Sequence, residues 1–393
     1  MNKKRNKVIL KDVLGPKGYI RGPFGSALKR GELLGEGIPV YEQQHAISDS
    51  RTFRFYIDDK KFESMKRFQV QENDLIISCS GTVGCVSIIG PDDPKGIISQ
   101  ALLILRANTD VVLPQYLKYF FTSKKGYNAI VSRSSGSVQV NIAKREIIEQ
   151  IELDLPDIPT QQKIVGVLEA LDQKISNNNA INDNLQQQAA ALFANFYDRA
   201  ETEVGFTEII QILGGGTPKT DESSYWNGNV PFFTPKDVGL PYTLTTEKTI
   251  TEEGLAHCNS RLYPINTVFV TARGTVGKVG LSGVPMAMNQ SCYALVGKGT
   301  HQLLVYFYTL KAVDRLKHKA SGAVFDAITT RDFESEIISK LSDIDAKAFL
   351  DIAEPIYRAV LSNSIENLRL AALRDSLLPK LMSGEIDVSD IQL

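Results

Sequence analysis

The chain has 393 residues, with 44 Lys/Arg, 45 Asp/Glu and a formal net charge of −1. That length exceeds one ordinary core, so two or more domains are expected. A hydrophobic fraction of 43% and a charged fraction of 23% fit a globular protein, and no apolar run reaches membrane-spanning length. The basic start "MNKKRNKVIL" lacks the apolar core and cleavage site of a secretory signal. Cys79, Cys85, Cys258 and Cys292 lack C-x-x-C spacing and read as reduced and mostly buried, without zinc, in a cytoplasmic protein.

Charge is uneven along the chain. Residues 1–154 carry 23 Lys/Arg against 17 Asp/Glu, and 205–342 carry 13 against 12. The shorter segments 155–204 and 343–393 carry 3 against 7 and 5 against 9. An anionic partner responds to a local face and not to the total, so the overall balance does not exclude one.

In chain order, 1–154 reads as strand-rich, with "DLIISCS", "CVSII" and "ALLILRA" as apolar runs of strand length. "PQYLKYFFTSKKGYNAI" follows as a helix. Over 160–199, Ile164, Leu168, Leu171 and Ile175 keep helical spacing, as do Leu185, Ala189, Leu192 and Phe196. Thr160, after Pro159, marks the cap region, and Gly205 lies beyond the end. Residues 205–342 repeat the first pattern, with "TVFVTA" as a strand and "HQLLVYFYTLKAVDRLK" as a helix. Over 344–382 a second stripe runs through Phe349, Ile352, Ile356, Val360, Ile365, Leu368, Leu377 and Leu381. Gly384 is placed to stop it, and Pro355 should kink it near its start. Strand–helix alternation is not regular, so the fold class is α+β.

The two halves match in order. "GTVG" stands at 81–84 and again at 274–277. "IPVYEQQHAI" (38–47) parallels "VPFFTPKDVG" (230–239), and 134–158 parallels 320–344. The repeat of about 190 residues is a two-part unit, an α+β globule followed by a long helix. Neither helix buries its stripe alone, so the two are expected to pair as a coiled coil, with the polar "SNNNAINDN" and "SNSIEN" setting register. GTVG itself reads as a tight strand-to-strand turn, because no P-loop lysine or helix start follows it. Its flanks differ: Ser80 and Cys85 in one copy, Arg273 and Lys278 in the other.

Catalytic signatures are absent from the sequence. It has no G-x-x-x-x-G-K-[ST], H-E-x-x-H or G-x-S-x-G, and no D-P-P-Y or N-P-P-F. Asp157, Asp172 and Lys174 fit a loose metal-nuclease pattern, but Asp172 falls inside the first long helix. Binding types are better represented. The first globule offers Arg21, Lys29, Arg30, Gln43, Gln44, His45, Arg51, Arg54 and Arg133. The second offers Thr217, Lys219, Trp226, Thr234, Lys236, Arg273 and Lys278. Arg, Lys and Gln contact phosphates and base edges, and the sets recur in equivalent places of a duplicated globule. A nuclease and a scaffold that binds only protein stand as the alternatives.

"GGGTPKTDESSYWNGNVPFFTPKDV", "ARGTVGKVG", "LPDIPTQQKIVGVLEALDQKI" and "LRDSLLPKLMSGEIDV" make the whole chain resemble the DNA-specificity subunit of type I restriction-modification systems. The resemblance implies target-recognition domains at 1–154 and 205–342, each reading half of a split, asymmetric double-stranded DNA target. It implies conserved long helices at 155–204 and 343–393, paired antiparallel, that set the spacer. It implies two modification subunits carrying S-adenosylmethionine, and restriction subunits using ATP and Mg. This chain would bind no cofactor and perform no catalysis. The first domain has "GPFGSALKRGELLGEGIPVYEQQ" where the second has the fuller family form, so the two should read different half-sites.

Overall fold

The structure, a computed structural model, describes residues 5–24, 28–132, 141–239, 241–319 and 327–392. It contains two compact units. The first comprises residues 1–173 and 370–393, the second 174–369. Each long helix therefore contributes to both units.

In the first unit, a four-stranded antiparallel sheet runs in the order Leu14–Arg21, Leu102–Ala107, Leu75–Ser78, Val86–Ile88. Successive strand residues point to opposite faces. Leu75, Ile77, Leu103 and Leu105 enter one core, with Tyr116, Leu117 and Phe121 of the helix Pro114–Thr122. Ile76 and Ile104 enter another, with Val40, Ile57 and Phe62. Burial on both faces explains why "DLIISCS" is apolar without alternation. A second sheet orders Tyr56–Ile57, Ile38–Tyr41 and Ile97–Ile98, the last pair parallel. Asn6–Ile9 pairs with Glu152–Leu155.

The second unit repeats this plan. Its main sheet orders Ile210–Gly214, Cys292–Gly297, Val268–Thr271 and Val279–Ser282, and adds Tyr242–Thr243 as a parallel edge. The small sheet orders Lys248–Ile250, Trp226–Phe233 and Ala287–Met288, again with the last pair parallel. Thr202–Gly205 pairs with Ile337–Lys340.

The duplication extends to single hydrogen bonds. Gly84 N–H donates to Ser78 O at 2.9 Å, and Gly277 N–H to Thr271 O at 2.8 Å. Cys85 N–H donates to Ser78 Oγ at 3.0 Å, and Lys278 N–H to Thr271 Oγ1 at 2.9 Å. The four GTVG glycines have φ of 66°, 89°, 81° and 73°, the left-handed region that glycine tolerates best. GTVG thus lies in the loop that closes an antiparallel hairpin in each unit.

The first long helix is Ile158–Asp198 and the second Asp343–Ser383, each of 41 residues. Asp157, and not Thr160, caps the first. Its carboxylate accepts from Thr160 N–H at 2.9 Å, which satisfies a donor the first turn leaves open. The second helix continues through Pro355 without a break, and through a further proline, Pro379. Both prolines are exposed, so the carbonyls they leave unpaired face water. Gly384, at φ 79°, ends the helix, and Arg5 caps it by donating to Leu381 O at 2.9 Å and to Met382 O.

The buried stripe is shifted from the predicted one. Ile352 is 51% and Leu368 42% exposed, while Ala353 and Tyr357 are buried beside Phe349 and Val360. Phe193 and Tyr197 are buried where Leu192 and Phe196 were expected. The helices both pair with each other and pack on the globules. In the first unit Ile164, Leu168, Leu378 and Leu381 join the sheet core, and Arg374 meets Asp172 at 2.7 Å. In the second, Phe193 stacks on Phe307 with ring centroids 4.8 Å apart, inside a cluster with Tyr308, Phe349 and Tyr357. There Asn178 donates to Glu366 and Asn367 at 2.8 Å each, and Asn363 donates to Asn182 at 2.8 Å. Rising numbers on one helix meet falling numbers on the other, so the pair is antiparallel. Buried amides at these positions are satisfied only in one register, which makes the polar middle a register device. Among the described residues, no helix is long and apolar enough to cross a membrane.

Candidate nucleic-acid interface

In the first unit a concavity of about 1250 Å³ is lined by Lys17, Arg21, Lys66, Arg67, Arg106, Lys144 and Arg145, with Glu146 its one carboxylate among the described residues. Arg106 is forked onto the buried Asp74 at 2.7 and 2.8 Å, and Arg145 bonds Glu149 at 2.7 Å. Lys66 pairs with Glu63. Lys17, Arg67 and Lys144 take part in no ion pair among the described residues. Three unneutralised cations in a concave wall favour an anion. Of the predicted residues that the structure describes, only Arg21 reaches this cleft. Its guanidinium donates to Leu102 O at 3.0 Å and stands 5.5 Å from the centroid of the exposed Phe24 ring. The other cations come from two strands, a short 3-10 turn and the helix Arg145–Ile148 with its cap residue Lys144, segments whose proximity no local pattern signals.

A second cleft in this unit, about 530 Å³, gathers Arg30, Gln43 and Arg54 from the predicted set, with Glu42, Ser80, Ser99 and Gln100. Arg54 is forked onto Glu42, donating through Nε and Nη2 at 2.7 Å each. Lys29 is exposed nearby in sequence, and Gln44 is half-buried.

Two predicted residues leave the surface set. His45 is fully buried, stacked on Phe53 at 4.6 Å. Its Nδ1 accepts from Glu42 N–H at 2.7 Å, which puts the proton on Nε2, 3.1 Å from Thr52 O. In the second unit Thr234 N–H donates to Asp237 at 2.8 Å in the same way. Aligning "EQQH" with "TPKD" shows His45 to be a turn cap, a signal the sequence held. Arg51, half-buried, is committed to internal bonds: Asp93 at 2.7 Å, Asp49 at 3.2 Å, Ser87 at 3.1 Å and Ile88 O at 2.9 Å. Arg133 lies outside the described residues.

In the second unit, Trp226 is a packing residue. It meets Phe232 edge-on at 5.6 Å, and its indole N–H donates to Lys219 O at 3.0 Å. Thr234 is held by Asp237 through both N–H and hydroxyl. Lys219, Lys236, Arg273 and Lys278 are exposed, and Lys236 lies 4.0 Å from Glu247. Thr217 and Arg273 meet around one turn. The Thr217 hydroxyl bonds Gln290, and Arg273 N–H donates to Ser291 O at 3.2 Å.

The nuclease pattern does not assemble. Asp157 caps a helix, Asp172 accepts from Tyr119 and Arg374 at 2.7 Å each, and Lys174 faces Glu366 at 3.4 Å. The described residues contain no group of three or more His, Cys, Asp or Glu able to hold a metal. Burial pushes the Cys79 and Cys292 thiols up to about 12, which keeps them protonated.

Two copies of one globule, each presenting polar and cationic side chains on clefts and turns, define a two-headed recognition module. Residues 32–187 and 202–340 match the family described as type I restriction modification DNA specificity domain, and the chain belongs to that family. It is 24% identical over 374 residues to the type I restriction enzyme HindI specificity subunit of Haemophilus influenzae, covering 74% of this chain and 81% of that one. It is 31% identical over 124 residues to the MjaIX specificity subunit of Methanocaldococcus jannaschii, covering 30% of this chain and 29% of that one. The fold is shared with the crystal structure of the type I restriction-modification S subunit from M. genitalium, at a TM-score of 0.60 and 13% identity over 97% of this chain and 96% of that one. This protein is thus a type I specificity subunit with two target-recognition domains.

Proposed function

We propose that 1–154 and 205–342 each read one half of a bipartite, asymmetric duplex DNA sequence. The paired long helices fix the unread spacer and dock two modification subunits, and restriction subunits join that complex. S-adenosylmethionine, ATP and Mg then belong to the partners, and this chain contributes no cofactor site and no catalytic group. The observation that carries the proposal is the duplication of the head, down to matched hydrogen bonds at the GTVG hairpin, with different side chains at matched surface positions. One scaffold presenting two sets of contacts suits two half-sites. The basic cleft of the first unit supplies phosphate contacts, and the smaller cleft with Arg30, Gln43 and Arg54 supplies groups that read base edges. In the second head Thr217, Lys219, Lys236, Arg273 and Lys278 are the proposed contacts. The acidic balance of 155–204 and 343–393 suits a protein partner better than phosphate, and Ile181, Ile344, Ile352 and Leu373 stand exposed on the helices.

Binding of the chain with its modification subunits to randomised duplexes tests this. Selection of two separated half-sites, with affinity falling steeply as salt rises, is the expected result. A single contiguous site, or affinity indifferent to salt, contradicts it.

A further inference from the structure

The two heads share one surface side chain at a matched corner, a glutamine. In the first unit, Leu102 N–H donates to Ser99 O at 3.2 Å, closing a turn with Gln100 at its corner. In the second, Cys292 N–H donates to Asn289 O at 3.3 Å, closing the same turn with Gln290 at the corner. Both glutamines are exposed. Both turns are tied to the GTVG hairpin in the same way: Cys79 N–H donates to Ala101 O and Ala272 N–H to Ser291 O, each at 2.8 Å. Both are also tied to the small sheet, Ser99 N–H donating to Tyr41 O at 2.8 Å and Asn289 N–H to Phe233 O at 3.0 Å.

The backbone beside each turn is equally constrained. A Cβ on Gly22 would lie 2.0 Å from Ser99 O, and one on Gly215 would lie 2.1 Å from Asn289 O. The corner that carries each glutamine is therefore rigid, fixed by backbone hydrogen bonds and, in the second head, also by Ser291 N–H donating to Asn289 Oδ1 at 3.0 Å. The glutamine side chain is not needed to build it. Resting on the reading of the heads as DNA-binding domains, we infer that Gln100 and Gln290 are matched base-reading residues, one per half-site.

Their surroundings differ in a way that sets different preferences. Gln100 lines the cleft of Arg30, Gln43 and Arg54, beside the Ser99 hydroxyl, which is buried without a hydrogen-bond partner among the described residues. No hydrogen bond among the described residues occupies either end of the Gln100 amide, so both stay available, the arrangement that suits the N6/N7 edge of adenine. One end of the Gln290 amide is held by the Thr217 hydroxyl, so a single end is left for a base. Counting from the paired glycines, Thr217 corresponds to Phe24, which has no hydroxyl.

The test uses the full chain with its modification subunits on duplexes randomised at each half-site. Gln100→Ala is expected to lower discrimination by about 5- to 150-fold at one base pair of the half-site read by 1–154. The other half-site and the salt slope stay unchanged, and Gln290→Ala gives the mirror result. Unaltered discrimination, or uniform weakening with a reduced salt slope, overturns the inference. An unchanged melting profile for each variant shows that the fold is intact. A wild-type complex without two half-sites refutes the functional reading itself, whereas intact half-sites with silent variants refute only the role of these glutamines.

Discussion

Gly215→Ala probes the close packing that shapes the second head. The added methyl would stand 2.1 Å from Asn289 O and 2.7 Å from Met288 O, both backbone atoms held in hydrogen-bonded structure. Ordinary carbon–oxygen contact lies beyond 3 Å, so the loop or the turn must shift by about an ångström. Overpacking of this kind costs about 1–3 kcal/mol. At about 2–4 °C per kcal/mol for a unit of this size, its melting transition falls by roughly 2–12 °C. Gly214→Ala is the built-in control, because nothing lies within 4 Å of a Cβ there. Calorimetry, with hydrogen exchange to assign each transition to a unit, reads the outcome. The same drop for both variants, or no drop for Gly215→Ala, refutes the argument from close approach.

Other consequences follow from the packing and the charges. Phe193→Ala removes a ring that is 1% exposed and in contact with Phe307, Tyr308 and Phe349; a loss of about 3–5 kcal/mol in the second unit is expected by denaturant titration. Burial pushes Tyr19, Tyr116, Tyr306 and Tyr308 up to about 12, while unfolded tyrosine titrates near 10. Their contribution is present in full below pH ~10 and is lost as pH rises towards about 12. Alkaline titration should then give part of the tyrosinate signal late, cooperatively and coincident with unfolding, and a signal complete near pH 10 would contradict it. Arg67→Ala and Lys144→Ala should each reduce the salt slope of DNA binding by about one without changing the half-sites. An altered half-site would move those residues from backbone contact to base reading.

Features carried by local pattern were legible in the sequence. The GTVG turn was readable because glycine at left-handed φ leaves a residue-level mark and the copy repeats it. The long helices were readable from period alone. Their buried face was not, because Ala353 and Tyr357 were outranked by the more apolar Ile352. Burial on these helices is set by the globule each one crosses. His45 was misread as a contact because its role, capping a turn, is visible only beside Asp237 in the other copy. The basic cleft escaped because Lys17, Arg67 and Lys144 are brought together by tertiary structure and share no spacing.

The central claim is that each head reads its own half-site. Exchange of 205–342 for the corresponding domain of a relative with a different target, followed by mapping of the methylated sequences, tests it most directly. The account predicts that one half-site changes to the relative's while the other half-site and the spacer persist. A change in both half-sites, or in neither, would contradict it.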